Sequence, residues 1–256
     1  MKLATWNVNS IRARLDLVLD WLQRRRPDVL CLQETKVVDE LFPAQAFSEI
    51  GYLTVHSGQQ TYNGVGILSL EPLTDVRRDF PLADNDERRL ISGVVRGLRV
   101  YSAYIPNGRD PLHPFFPVKL AWIDALGDLL LGQGRARQEP VMLMGDFNVA
   151  PEPRDVYDPV ALEGKIHFSA EEHAALERLR ERGLVDAFRV RRPEDGLYSW
   201  WDYRQGSFRR NLGYRIDHIW ITPDLTDRVV DAYIDRDERA RDHCSDHAPV
   251  VVELEL

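Results

Sequence analysis

A carboxylate and a carboxamide stand two residues apart at Asp146 and Asn148, directly after the apolar run 141–144. The run predicts a short buried strand that Gly145 ends sharply. Side chains two apart in extended chain point to the same side, so both groups can reach one cleft as a base and a neutral hydrogen-bonding partner. Turn formation is the alternative for this pair on its own, because Asp and Asn are common turn residues.

Other polar residues also stand at or near the ends of predicted strands. They are Asn7, Glu34, Tyr104, Asp217, Asp246 and His247. Functional groups are often carried by loops on a rigid scaffold, although most of these residues could instead cap a helix or shape a loop. Asp217 is harder to explain in that way, because a carboxylate between Ile216 and Ile219 is costly to bury unless it is paired.

Together these residue types predict the hydrolysis of a phosphodiester. Magnesium is usually held by one or two carboxylates with water and substrate phosphate, a role that fits Glu34 assisted by Asn7. An aspartate beside His247 would orient the imidazole, and Asp146 would position or deprotonate water. The phosphate oxygens would be held by Asn148 and Tyr104. A serine nucleophile is not indicated, because the sequence has no Gly-x-Ser-x-Gly motif.

The predicted elements favour an α/β fold. Apolar spacing predicts helices at 11–25, 39–49, 116–131 and 170–182, with Ser10 as a cap of the first and Gly132 to Gly134 ending the third. Strands are predicted at 2–6, 28–32, 52–56, 64–70, 89–96, 98–104, 141–144, 214–221, 229–234 and 249–254. This mixture indicates two packed sheets with helices on their outer faces.

Length and composition predict one intracellular domain spanning residues 1–256. No apolar run approaches the ~20 residues that cross a bilayer, the start of the chain does not resemble a signal peptide, and Cys31 lies in an apolar run as a small buried hydrophobe. The net charge of −8 argues weakly against nucleic acid. The many arginines suit phosphate binding, although most of the paired ones are expected to be ordinary surface residues.

Seven motifs run through the chain in order: Trp-Asn-Val-Asn at 6–9, Leu-Gln-Glu-Thr-Lys at 32–36, Tyr-Ile-Pro-Asn-Gly at 104–108, Gly-Asp-Phe-Asn-Val-Ala-Pro at 145–151, Trp-Trp-Asp-Tyr-Arg at 200–204, Arg-Ile-Asp at 215–217 and Cys-Ser-Asp-His-Ala-Pro at 244–249. Their order and composition resemble the exodeoxyribonuclease III family, the abasic-site endonucleases within the endonuclease/exonuclease/phosphatase superfamily. The Gly-Asp-x-Asn and Asp-His motifs are shared across the superfamily, whereas the motifs at 200–204 and 215–217 are more particular to its DNA-repair branch.

The resemblance implies a four-layer α/β sandwich, in which two packed mixed β-sheets are flanked by helices. It also implies a cytoplasmic, monomeric enzyme that needs Mg²⁺, with Mn²⁺ as an alternative. The implied substrate is double-stranded DNA with abasic sites or 3′ ends, and no membrane is involved. Glu34 would be the main metal ligand, within a set completed by Asn7, Asp146, Asn148, Asp246 and His247.

The resemblance also implies a role for each residue at the site. Asp146 would activate water, Asp217 would orient the site, and Asp246 would support His247 against the scissile phosphate. Phosphate would be bound by Asn148 and Tyr104, and other substrate contacts would come from Asn107, Trp200, Tyr214 and Ile216. The last three would line a slot for the flipped-out abasic sugar, which has little stacking to lose. Core packing is the alternative role for these three.

Two loops depart from the expected pattern. The loop at 110–117 is rich in proline and aromatic residues, and the loop at 165–168 carries His167, which could obstruct or contact a terminal nucleotide. An ordinary loop histidine is the alternative. Two other functions are also weighed: a phospholipid phosphoesterase, and a catalytically silent nucleic-acid-binding regulator on the same scaffold. The enzyme is favoured because a silent relative is expected to lack some of the groups that bind metal or transfer protons.

Overall fold

Two six-stranded β-sheets form the framework of the protein in a computed structural model, which describes residues 1–78, 87–131 and 139–256. The strands are β1 (Lys2–Asn7), β2 (Val29–Gln33), β3 (Leu53–Ser57), β4 (Val65–Ser69), β5 (Thr74–Arg77), β6 (Leu90–Val95), β7 (Leu98–Tyr104), β8 (Val141–Asp146), β9 (Val185–Asp186), β10 (Asp217–Ile221), β11 (Val229–Ile234) and β12 (Val250–Leu254). The strands β5 and β9 were not predicted; both are short, with four and two residues.

The helices are α1 (Ile11–Arg25), α2 (Ala44–Glu49), α3 (Phe116–Leu131), α4 (Pro159–Leu162), α5 (Ala170–Glu181) and α6 (Ala187–Arg191). The single helix predicted at 39–49 is wrong, because Pro43 separates a 3₁₀ turn from α2 and cannot donate a backbone hydrogen bond. Ser10 precedes α1 but makes no side-chain cap. The predicted glycine stop of α3 at 132–134 lies outside the described residues.

Each sheet is mixed, with one parallel pair beside antiparallel ones. The first sheet has the order β11-β12-β1-β2-β4-β3, and β1 runs parallel to β2. The second has the order β5-β6-β7-β8-β10-β9, and β7 runs parallel to β8. Because parallel strands end on the same side of a sheet, the carboxyl ends of β1 and β2 lie together, as do those of β7 and β8.

Alternating side chains build the layers. In β1, Leu3 faces a core shared with Met142 of the second sheet, whereas Trp6 packs under α1 against Trp21. Helices α3 and α5 cover the outer face of the second sheet through residues such as Trp122. The result is a four-layer α/β sandwich, as predicted. Within the described ranges, no helix combines the length and apolar character needed to cross a membrane.

Two strand boundaries differ from the predictions. Gly145 does not end β8 but lies inside it, with its φ of 157° close to extended backbone, and a Cβ at this position would stand 1.8 Å from the carbonyl oxygen of Ala103 in β7. Strand β10 begins at Asp217 rather than at 214. Tyr214 instead forms isolated bridges with Val156 and Trp200, and Arg215 is fully buried between Asp155 and Asp186.

Candidate active site

Polar side chains from both sheets meet at one edge of the sandwich. Strand β1 ends at Asn7, and the parallel strand β2 ends just before Glu34. In the second sheet, Asp146 at the end of β8 has two neighbours: Tyr104 of the parallel strand β7 and Asp217 of the antiparallel strand β10. The register of the strands therefore brings together residues that lie far apart in the sequence.

His247 lies between two buried aspartates. Its Nδ1 is 2.9 Å from Asp217 Oδ2 and 3.1 Å from Asp217 Oδ1, and its Nε2 is 3.9 Å from Asp146 Oδ2. Ser199 Oγ donates to Asp217 Oδ2 at 2.6 Å. Because an ionised carboxylate only accepts hydrogen bonds, the Nδ1 of His247 carries a proton and donates it to Asp217. The other ring nitrogen is thereby directed toward Asp146.

The same arrangement shifts the pKa values of the histidine and the base. Burial alone would lower the pKa of His247, but the carboxylates of Asp217 and Asp146 outweigh burial and raise it to about 10. Burial raises the pKa of Asp146 to about 7, an effect that His247 opposes and Asp217 reinforces. At neutral pH the imidazole is therefore a cation, and its Nε2 faces the carboxylate of the predicted base.

One ligand atom each of Glu34, Asp146 and His247 lies within 4.8 Å of the others, a spacing that could hold a metal ion. Because the cationic imidazole has no free lone pair, the donors are the two carboxylates, in contrast to the predicted place of His247 among the metal ligands. Lys36 Nζ contacts Glu34 Oε2 at 2.8 Å. Burial would raise the pKa of Glu34, but Lys36 and a hydrogen bond from Asn7 outweigh it and lower the pKa. The site thus presents two carboxylates, one from a strand end of each sheet, and carboxylate oxygens are the donors that Mg²⁺ prefers.

Asn7 supports these carboxylates. Its amide nitrogen donates to Glu34 Oε1 at 2.8 Å and to Asp146 Oδ2 at 2.9 Å, while its amide oxygen accepts from the backbone N–H of Asn9 at 3.0 Å. Only an N–H group satisfies two facing carboxylates, which fixes the orientation of the amide. The structure therefore turns the oxygen of Asn7 away from the carboxylates, in contrast to its predicted place among the metal ligands.

The support of His247 by Asp246 is electrostatic, since the nearby charge of Asp246 is one of the causes that raise the pKa of His247. Asp246 accepts from Asn9 Nδ2 at 3.0 Å and from Trp200 Nε1 at 2.9 Å, whereas the histidine is held by Asp217. Adjacent side chains in extended chain point to opposite sides, so a residue directly before His247 is poorly placed to reach its ring. Asp246 also lies outside the three-residue group described above.

The predicted phosphate-binding groups lie beside Asp146. The backbone N–H of Asn148 donates to Asp146 Oδ1 at 2.8 Å, and Asn107 Nδ2 donates to Asn148 Oδ1 at 3.0 Å. That bond uses the oxygen through which Asn148 was predicted to bind metal. Burial and the nearby charges of Glu34 and Asp146 raise the pKa of Tyr104 well above its usual value. Tyr104 therefore keeps its phenolic proton and can donate a hydrogen bond.

Trp200, Tyr214 and Ile216, the predicted lining of the slot, lie together near the site. Ile216 is buried against Phe168 and packs with both aromatic residues, whose ring centroids are 5.4 Å apart. The imidazole of His167 lies 6.2 Å from the ring of Trp200 and 6.1 Å from that of Tyr214. His167 is only 9% exposed. It therefore lies within the structure against the walls of the slot, rather than on an open loop.

Sequence reasoning missed several supporting residues at this edge. Asn9 and Lys36 lie within the quoted motifs but were given no role, although Lys36 contacts Glu34 directly. The guanidinium of Arg89 lies 4.7 Å from the ring centroid of Tyr104. Ser199, which orients Asp217, has no signal in the sequence because it depends on the pairing of distant segments.

Comparison with known proteins agrees with this fold and this geometry. The model of the endonuclease/exonuclease/phosphatase family matches residues 4–247. Exodeoxyribonuclease III of Haemophilus influenzae is 35% identical, with 99% of this chain and 100% of that protein covered. The chain belongs to the endonuclease/exonuclease/phosphatase family, within its branch of exodeoxyribonuclease III and abasic-site endonucleases.

Two solved structures show the same architecture over complete chains. One is the 3′ phosphatase NExo from Neisseria bound to a product DNA hairpin, which is 41% identical with a TM-score of 0.97. The other is an AP endonuclease from Archaeoglobus fulgidus, which is 39% identical with a TM-score of 0.96. In both comparisons the alignment covers 100% of each chain. These relatives include proteins named for abasic-site cleavage and for 3′-end processing.

Proposed function

We propose that this protein is a DNA-repair phosphodiesterase that hydrolyses the backbone of double-stranded DNA 5′ to abasic sites, removes 3′ nucleotides and 3′ blocking groups such as a 3′ phosphate, or does both. The observation that supports this most is the alignment of Asp217, His247 and Asp146, with His247 Nδ1 2.9 Å from Asp217 and Nε2 3.9 Å from Asp146. This alignment provides a base and a proton donor side by side. The relatives named for DNA repair support DNA as the substrate.

In this proposal Asp146 takes a proton from the attacking water, whose oxygen bonds to phosphorus as the bond between phosphorus and the 3′ oxygen breaks. The departing 3′ oxygen takes a proton from solvent water and becomes a 3′ hydroxyl. His247, held as a cation by Asp217, donates from Nε2 to a phosphate oxygen and stabilises the charge that develops there. Tyr104 and Asn148 hold further phosphate oxygens. Glu34 and Asp146 would hold Mg²⁺ or Mn²⁺, which, when bound, neutralises charge on the phosphate. Two carboxylates suit a hard cation such as Mg²⁺, whose remaining coordination positions would be filled by water and substrate phosphate.

The deciding experiment uses a labelled duplex with one abasic analogue and a second duplex that ends in a 3′ phosphate. In the presence of Mg²⁺, we expect incision 5′ to the analogue, release of inorganic phosphate from the second duplex, or both. Chelator should abolish the activity, and His247→Asn should lower it roughly 10²–10⁴-fold because the cationic donor is lost. Binding of both duplexes without cleavage would instead favour a nucleic-acid-binding regulator.

Within this function, we propose that 3′-end processing predominates over incision at abasic sites. His167 lies against both aromatic walls of the slot, and its Nδ1 is 2.5 Å from the carbonyl oxygen of Asn148. A carbonyl oxygen only accepts, so Nδ1 donates. Burial is the main cause that lowers the pKa of His167, to about 3. The neutral ring is therefore a packed, hydrogen-bonded obstacle where a flipped sugar would have to enter.

Removing this obstacle should change the choice of substrate. We expect His167→Gly to raise the ratio of abasic-site incision to removal of 3′ nucleotides from matched duplexes, roughly 10-fold or more, because the slot gains the volume of an imidazole. Both rates are measured on the same labelled duplexes. His173→Gly is the control for loss of a neighbouring histidine, since His173 Nε2 contacts the carbonyl of Ala150 and its ring packs on Phe168 rather than on Trp200 or Tyr214. An unchanged ratio in His167→Gly would remove the role assigned to His167.

We also propose that residues 1–256 act as one catalytic domain. Residues of both sheets share one hydrophobic cluster, and the candidate site takes side chains from both. The presence of all the predicted metal-binding and proton-transferring groups disfavours a silent regulator, and the names of the relatives disfavour a phospholipid substrate. The monomeric state and the cytoplasmic location stay predictions from the sequence.

A further inference from the structure

A buried ion pair lies beneath the predicted phosphate-binding loops. Lys119 stands in the first turn of α3 and Glu172 in the first turn of α5, and their side chains are both 0% exposed. Burying two charges carries a desolvation cost that apolar side chains of the same size would not. The partners of this pair therefore indicate what it contributes beyond packing.

The ammonium of Lys119 contacts both asparagine loops. It donates to the carbonyl oxygen of Asn148 at 2.6 Å, to that of Asn107 at 3.2 Å and to the carboxylate of Glu172. These three acceptors use all three N–H groups of a lysine. The two asparagines are also joined by their side chains at 3.0 Å. One buried cation thus fixes the backbone of both loops, including that of Asn148, whose amide binds the phosphate in the proposed function.

The carboxylate of Glu172 holds the other side of the site. Its Oε1 accepts the backbone N–H of His167 at 3.1 Å, and its Oε2 accepts the N–H and the hydroxyl of Ser169 at 3.0 and 2.8 Å. The ring of His167 in turn donates to the carbonyl of Asn148, the same oxygen that accepts from Lys119. The ion pair therefore connects the histidine at the slot with the asparagines at the phosphate.

We propose that Lys119 and Glu172 are positioning residues that determine substrate choice, by holding Asn107, Asn148 and His167 as one unit. This inference rests on the proposed function. Neither residue touches substrate, since both are fully buried. Their loss should slow the reaction by misplacing the amides and should also free His167 to leave the slot. If the pair had only a structural role, its removal would lower the stability of the protein without changing which substrate is preferred.

The test is the double variant Lys119→Met/Glu172→Gln, which removes both charges with little change in side-chain volume and leaves no unpaired buried ion. We expect kcat/KM for 3′-phosphate removal to fall roughly 10- to 100-fold, mainly through kcat, as for other small misplacements of catalytic groups. The ratio of abasic-site incision to 3′-phosphate removal should rise at least several-fold, because the backbone of His167 is no longer held by a carboxylate.

A matched control is available on the same two helices. Asp124 of α3 and Arg178 of α5 form a bidentate pair at 2.7 and 3.0 Å, away from the asparagine loops. Asp124→Asn weakens the contact between these helices and should leave both kcat/KM and the substrate ratio unchanged. If the folded double variant gives the same values as this control, the inference is overturned.

A second variant covers the case in which the double variant does not fold. Glu172→Asp keeps a carboxylate for Lys119 but shortens its reach to His167 and Ser169, so the substrate ratio should shift in the same direction by a smaller factor. An unchanged ratio in this variant also overturns the inference. Wild-type protein that cleaves neither substrate would instead overturn the proposed function, and the inference with it.

Discussion

The Asp217 carboxylate decides which nitrogen of His247 faces the base. It accepts from His247 Nδ1, and it is itself held by the hydroxyl of Ser199 and buried completely. The hydroxyl also accepts the backbone N–H groups of Ile216 and Asp217 at 3.1 Å, so the serine is fixed on both sides. The negative charge of Asp217 raises the pKa of the histidine and so keeps it cationic.

At the residue scale we therefore expect Asp217→Asn to lower kcat by roughly 10²–10⁴-fold, with a much smaller change in KM. The amide removes the charge that favours the imidazolium, and its NH₂ group can turn toward Nδ1 and stabilise the wrong tautomer. Single-turnover rates on the 3′-phosphate duplex measure the effect.

Asp246→Asn provides the comparison. Asp246 bonds Asn9 and Trp200 rather than the histidine, so its amide variant should lose less activity than Asp217→Asn. Equal losses in the two variants would show that the carboxylate of Asp217 has no special role in holding His247.

At the scale of elements, the sequence predicts correctly those strands, helices and polar positions that follow from a local residue pattern. Apolar runs and helical spacing predicted β1, β7 and α1 to within a residue or two, and polar residues at strand ends marked the catalytic edge. The prediction of one helix at 39–49 is wrong, because it followed helical spacing across Pro43. Proline has no backbone N–H, and the segment is divided there into a 3₁₀ turn and α2.

Pairing between distant segments could not be read from the sequence. Adjacency along the chain suggested Asp246 as the partner of His247, but the ring bonds Asp217, which the antiparallel register of β10 and β8 places beside Asp146. Likewise Gly145 resembled a strand stop, although it lies within β8 where the approach of Ala103 leaves no room for a Cβ. Such contacts depend on three-dimensional neighbours rather than on local preference.

At the scale of the whole molecule, a net charge of −8 has to be reconciled with a polyanionic substrate. The distribution of the charges matters more than their sum. Many arginines form salt bridges with acidic residues, such as Arg96 with Glu71 at 2.5 Å. Arg204 differs: it lines a cleft with Trp200 and Tyr214 beside the site, and within residues 1–78, 87–131 and 139–256 its guanidinium has no hydrogen-bond or ion-pair partner. Its charge is therefore free to meet a phosphate of the DNA backbone.

We expect Arg204→Ser to weaken DNA binding and to reduce the slope of log K against log salt concentration by about 1, as for the loss of one phosphate contact. Fluorescence anisotropy with a labelled duplex, in chelator and over a series of salt concentrations, measures both quantities. Arg96→Ser changes the net charge by the same amount and serves as the control. Arg96 lies in the turn before the first residue of β7, whereas Tyr104 at the site is the last residue of that strand. The control should leave the slope unchanged. Equal changes in the two variants would mean that net charge, rather than a phosphate contact at the cleft, governs the affinity.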